Sequence, residues 1–138
     1  MGQALHVVMY HYIRDLPKTG FPRIKGMLLD DFLRQVTVLE SQFEMATLET
    51  ALDLMRGSYF PKRDLCLLTF DDGLKEHYRE VTPILVERHI QGLFFPITRC
   101  MTESCVAPVH MNHFLMASLE FDRYQRAFLE KLEEVAPG

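Results

Sequence analysis

The chain has 138 residues, 48% hydrophobic and 25% charged, with a formal net charge of −4 at pH 7. That is ordinary globular composition, enough for one domain with a real core. It gives no case for nucleic acid, which asks for a basic face, and no apolar run approaches the roughly 20 residues of a membrane span. The first twelve residues have no basic lead, and His6 and His11 interrupt their apolar run. That argues against a signal peptide and for a cytoplasmic location. Three cysteines, Cys66, Cys100 and Cys105, are an odd count and read as free thiols in a reducing compartment.

Residues 5–13 are a short apolar run and predict a buried strand. Residues 14–28 carry Pro17, Gly20, Pro22 and Gly26 and predict an irregular loop. Phe32, Leu33, Val36, Leu39 and Phe43 recur at helical spacing, with Asp30 as the expected cap. Thr47 is placed to cap a second helix running to about residue 55, and Gly57 to stop it. Residues 65–70 are apolar on both faces, the pattern of a parallel strand covered on both sides; Cys66 within it is a small core residue. Residues 76–89 read as helical, with a restart where Thr82 caps and Pro83 takes the first helical position. Residues 92–98 predict another buried strand, with Pro96 marking an edge or a bulge. Residues 98–108 predict a loop. From 109 to about 135 one long helical pattern runs, its stripe made by Phe114, Leu115, Leu119, Phe128, Leu129 and Leu132. This alternation predicts an α/β fold with mostly parallel strands. In such folds reactive residues gather at the C-terminal edge of the sheet. His11, Asp71, Asp72 and the loop after Thr98 all fall there.

Asp71 and Asp72 lie side by side in the run T-F-D-D-G, residues 69–73. Adjacent strand residues point to opposite faces, so both carboxylates share one site only if the backbone turns, and Gly73 permits the positive φ of such a turn. Two ionised carboxylates held close repel unless a cation sits between them. A divalent metal resolves this: one Asp binds it and the other stays free to take a proton from water. The competing reading makes Asp72 a cap of the following helix. His110 and His113, three apart on a helix, lie on one face with Cβ atoms roughly 5–6 Å apart. Both imidazoles can reach one ion, and zinc or a similar divalent metal accepts such a nitrogen and carboxylate set. The competing reading is two histidines on a solvated face. Cys100, Cys105, His110 and His113 are also the residue types of a structural zinc site, but finger spacing puts about twelve residues between the last Cys and the first His, and only four residues separate Cys105 from His110. A haloacid dehalogenase-type phosphatase needs an Asp two places before the Asp-Gly, where Phe70 stands.

T-F-D-D-G before a helix, then the strand F-F-P-I, a histidine pair, and the opening V-M-Y-H-Y-I resemble the polysaccharide deacetylases with the NodB homology domain. The resemblance implies that Asp71 is the general base and Asp72 a metal ligand. The second motif of the family, His-Ser/Thr-x-x-His, is closer here, with Met in the Ser/Thr place; it carries the ligand role to His110 and His113. The implied fold is a partial, distorted (β/α) barrel, a single domain over residues 1–138 truncated at its C-terminal side. Later motifs of the family bring an Arg that orients the base and a His that acts as acid, and no histidine follows His113. His11 is the placed candidate for the acid; its alternative is a ring packed beside Tyr10 and Tyr12. The implied activity is removal of N-acetyl groups from a sugar or oligosaccharide, a zinc-bound water attacking the amide while Asp71 takes its proton. An unclosed barrel exposes a sheet edge, which predicts a homodimer or larger assembly. The alternative function is a non-catalytic, metal-binding or oligomerising barrel fragment.

Overall fold

The run that is apolar on both faces forms the central strand. In the computed structural model, which describes residues 3–136, β3 (Leu65–Asp72) has every residue from Leu65 to Phe70 buried. The chain divides into two compact units. One holds the residues up to Asp15 together with Gly26–Thr98; the other holds Leu16–Lys25 together with the residues from Arg99 onward.

The first unit is built on a parallel sheet. β1 (Leu5–Tyr10) lies on one side of β3, in register from Leu5↔Leu65 to Tyr10↔Phe70. The other side of β3 is shared by β2 (Glu44–Met45) and β4 (Gly92–Pro96), the latter in register from Leu68↔Gly92 to Asp72↔Pro96. Side chains alternate between faces. Cys66, Leu68 and Phe70 join Tyr10, with Phe32 and Val36 of α1 (Leu29–Gln42) and Leu85 of α3 (Thr82–Glu87). Leu65 and Leu67 join Leu5, Leu93 and Tyr59, with Ala51 and Leu54 of α2 (Leu48–Arg56). Phe32, Phe70, Ile13, Leu65 and Leu68 are wholly buried, each worth about 1.5–3 kcal/mol of burial.

α2 ends as its sequence demands. The Thr47 hydroxyl accepts from the Thr50 N–H, the Thr50 hydroxyl accepts from the Thr47 N–H, and Gly57 closes the helix at φ 72°. α1 differs from expectation. Leu28 stands at its N-cap with no side-chain cap, and Asp30 lies inside the first turn, where its charge meets the positive end of the helix. Phe43 is extended rather than helical, leading into β2. β1 stops at Tyr10, and Ile13 instead bridges Met27. After β3 the helical run includes a wide π-turn, His77–Val81. Thr82 is itself helical and caps nothing: its N–H and its hydroxyl both donate to the His77 carbonyl. The wide turn lets Pro83, which has no N–H to give, enter α3 early.

In the second unit the expected long helix is two, α5 (Pro108–Ser118) and α6 (Phe121–Val135). Leu119 and Glu120 between them are extended. The cause is Arg23. Its guanidinium donates to the Ala117 carbonyl (2.9 Å), the Leu119 carbonyl (3.0 Å) and the Glu120 carboxylate (2.6 Å), taking acceptors that a continuous helix would use itself. Phe21 packs on Phe114, ring centroids 4.6 Å apart. The segment expected as a loop before Pro108 contains a short helix, α4 (Thr98–Thr102). Among the described residues no helix is long and apolar enough to cross a membrane.

Candidate active site

Strand alternation would send the Asp71 and Asp72 side chains to opposite faces. The backbone prevents it. Asp72 has φ 75° and Gly73 φ 64°, two left-handed residues in succession. The turn therefore begins one residue earlier than Gly73, on a residue type that enters this region more readily than most, its short side chain being able to bond locally. Gly73 is needed for space as well: a Cβ there would lie 2.6 Å from Pro96 Cβ and 2.9 Å from Pro96 Cα. Asp72 stays within β3 and the helical run opens at Lys75. His11 stands just past the end of β1, its Nε2 4.0 Å from a carboxylate oxygen of Asp71 and 4.0 Å from one of Asp72. Tyr10 and Tyr12 are buried while the His11 side chain is 44% exposed, so the imidazole is not packed between its neighbours.

Around this trio lie groups that the sequence did not single out. Arg14 forms an ion pair with Glu76, both side chains largely covered, and its guanidinium lies 4.7 Å over the Tyr12 ring. Burial lowers the Arg14 guanidinium from its usual range, with Tyr12 partly offsetting that. The Tyr12 phenol is pushed up by burial, held back by Arg14 and pushed further by Asp72. His77, buried in the helical run that follows the aspartates, places its Nε2 2.7 Å from the His11 carbonyl oxygen. Burial lowers the His77 imidazole, the His11 carbonyl and Asp72 pulling it part of the way back. Position alone could have hinted at Glu76 and His77, four and five residues beyond Asp72. Arg14 sits in a stretch with no periodicity to mark it.

His110 and His113 belong to the second unit. Both lie on α5, ring centroids 6.3 Å apart, His110 buried and His113 partly so. Two imidazoles one turn apart and an aspartate are donors that suit a divalent ion. Among the described residues no three His, Cys, Asp or Glu side chains gather closely enough to hold one. The same holds for the Cys100, Cys105, His110 and His113 alternative; both thiols are free.

Comparison with known proteins gives a consistent picture of the fold. The polysaccharide deacetylase family profile matches residues 60–130, more than half the chain. No curated protein matches by sequence. Among solved structures, the de-N-acetylase from Aggregatibacter actinomycetemcomitans is 20% identical with a TM-score of 0.61 over 75% of this chain and 42% of its own. Streptococcus pyogenes deacetylase PplD, solved in complex with acetate, is 17% identical with a TM-score of 0.61 over 86% of this chain and 53% of its own. IcaB from Ammonifex degensii is 29% identical with a TM-score of 0.55 over 71% of this chain and 42% of its own. The chain thus spans about half or less of each neighbour's length. Its open parallel sheet is the NodB-type α/β arrangement that the sequence predicts. With the family profile spanning the Asp71–Asp72 turn and α5, the chain belongs to the polysaccharide deacetylase family.

Proposed function

We propose that the chain is a metal-dependent hydrolase that removes N-acetyl groups from a sugar or oligosaccharide. The observation that carries this reading is the trio at the C-terminal edge of β1 and β3: two carboxylates turned to one side by consecutive left-handed residues, with His11 Nε2 4.0 Å from each. In this reading Asp71 accepts the proton of the attacking water. His11 Nε2 passes a proton to the nitrogen as the amide C–N bond breaks, so that an amine and acetate leave. Asp72 would be the first unit's ligand to a divalent ion, zinc by preference, and His110 and His113 are the ligands that the family resemblance implies beside it. When bound, that ion supplies Lewis-acid polarisation and charge stabilisation at the amide. Asp72 is suited to hold a cation because its carboxylate is 18% exposed and fixed by a strained backbone.

The test is acetate release from N-acetylated glucosamine oligomers, with bound metal measured alongside. Asp71→Asn is expected to abolish release and keep the metal; Asp72→Ala is expected to lose the metal. A wild type that binds metal and releases no acetate would overturn the enzyme reading.

That outcome would favour a second reading, a non-catalytic metal-binding fragment that self-associates. It draws support from β1, whose only partner strand among the described residues is β3, and which leaves Val7 and Met9 more than half exposed. Light scattering at rising concentration tests self-association in either reading, with a monomer throughout counting against it.

A further inference from the structure

His77 is 3% exposed and has no role in the chemistry above. Its Nε2 lies 2.7 Å from the carbonyl oxygen of His11. A carbonyl can only accept, so Nε2 carries the proton and donates. Nδ1 is buried without a hydrogen-bond partner. The ring packs edge-on to Phe70, centroids 5.6 Å apart, and tilted against Phe94 at 6.1 Å. The His77 backbone is held equally firmly, its carbonyl taking both the N–H and the hydroxyl of Thr82 across the π-turn. Single π-turns of this kind occur frequently at functional sites.

What His77 grips is a backbone stretch between two anchors. β1 is in register with β3 as far as Tyr10↔Phe70. The next tie on the outgoing chain is the Met27 N–H on the Tyr12 carbonyl, at 2.9 Å. His11 lies between, at the point where the strand has ended and its imidazole turns toward two carboxylates. A peptide plane left to rotate there would carry the imidazole with it.

We propose that His77 is a positioning residue for His11: its Nε2–H fixes the His11 peptide and so holds the His11 imidazole beside Asp71 and Asp72. This rests on the reading of His11 and Asp71 as groups that act on the substrate. Two variants separate positioning from mere packing. His77→Phe keeps an aromatic ring against Phe70 and Phe94 and removes the donor. His77→Gln restores a donor of similar reach.

In acetate release from N-acetylated glucosamine oligomers, His77→Phe is expected to lower kcat 10- to 100-fold with KM within two-fold, and His77→Gln to recover most of the loss. Wild-type kcat in His77→Phe, or no recovery in His77→Gln, would overturn the proposal. A second measurement needs no activity. Long-range ¹H–¹⁵N NMR on the wild-type chain should find His77 as the Nε2–H tautomer, and His11 ring resonances should move in His77→Phe and return in His77→Gln. An Nδ1–H tautomer at His77, or His11 resonances indifferent to His77→Phe, overturns the proposal. If the wild type releases no acetate, the deacetylase reading fails and the NMR result alone decides the role of His77. If His77→Phe does not fold, the wild-type tautomer decides it.

Discussion

Replacing Gly73 by alanine tests the turn that brings the two carboxylates together. Two costs add at this position. The φ of 64° places a Cβ against the backbone, about 1–2 kcal/mol for a residue other than glycine. The same Cβ would meet Pro96 Cβ at 2.6 Å and Pro96 Cα at 2.9 Å. The second of these is backbone at the end of β4 and cannot swing aside; such overpacking costs about 1–3 kcal/mol. The sum is about 2–5 kcal/mol, a large share of the roughly 5–15 kcal/mol that stabilises a domain. Two other glycines separate the terms. Gly57 has φ 72° and nothing within 4 Å of a Cβ, so Gly57→Ala carries the conformational cost alone. At Gly92 no positive φ applies, but a Cβ would meet Leu85 Cδ1 and Phe70 Cε2, each at 2.8 Å, so Gly92→Ala carries contact alone. Urea unfolding of all three, followed by circular dichroism, gives the comparison. With a slope of about 1–3 kcal/mol per molar urea, Gly73→Ala should unfold earliest of the three, its midpoint roughly 1–5 M below the wild type's. A midpoint no lower than that of Gly57→Ala would refute the close approach of Pro96 and, with it, the account of why glycine follows the aspartates.

Two further outcomes follow from the groups beneath the site. Burial keeps the folded His77 imidazole below its ordinary value of 6.5. The unfolded chain therefore takes up a proton that the folded chain refuses, and stability is lost as pH falls from about 6.5 toward the folded value. The slope reaches at most about 1.4 kcal/mol per pH unit. Subtracting the pH dependence of His77→Phe from that of the wild type should isolate this loss between pH 7.5 and 5.5, and parallel curves would count against it. Arg14→Met should leave Glu76 as a covered, uncompensated charge and cost about 3–5 kcal/mol, while Arg14→Met with Glu76→Leu should recover most of it. Thermal unfolding reads both, and a double variant as unstable as the single one would show that the pair is not what matters.

The parts of the fold that were legible in the sequence are those set by local rules. β3 announces itself because a strand covered on both faces needs apolar residues on both; β4 is a strand as its apolar run predicts, but not a buried one, since Phe94, Phe95 and Pro96 are exposed. α2 is legible because Thr47 and Gly57 each satisfy helix-end groups within their own segment. The failures come from partners far along the chain. Residues 109–135 have an unbroken helical pattern, and nothing local reports that Arg23 takes the carbonyls at the break. β2 is two residues long, too short for any period, and exists because β3 offers it an edge at Leu65 and Cys66. At the site, a paired carboxylate beside glycine was legible as a turn, but not that Asp72 itself adopts the left-handed conformation. The His11 approach to both carboxylates depends on a parallel register that brings the end of β1 beside the end of β3.

The Arg23 clasp also has a bearing on synthesis. Its three bonds join residues 94, 96 and 97 positions apart. By the time Glu120 leaves the ribosome, Arg23 has long since emerged, and until then its guanidinium has none of these acceptors. At roughly 5–20 residues per second the wait lasts several seconds or more. The sheet, whose strands are all complete by Pro96, has only the last part of that wait, roughly 1–5 s, in which to form first. A ribosome stalled with Pro96 outside its exit tunnel and Leu119 still inside should hold a nascent chain whose sheet resists protease while residues 16–25 remain open to cleavage.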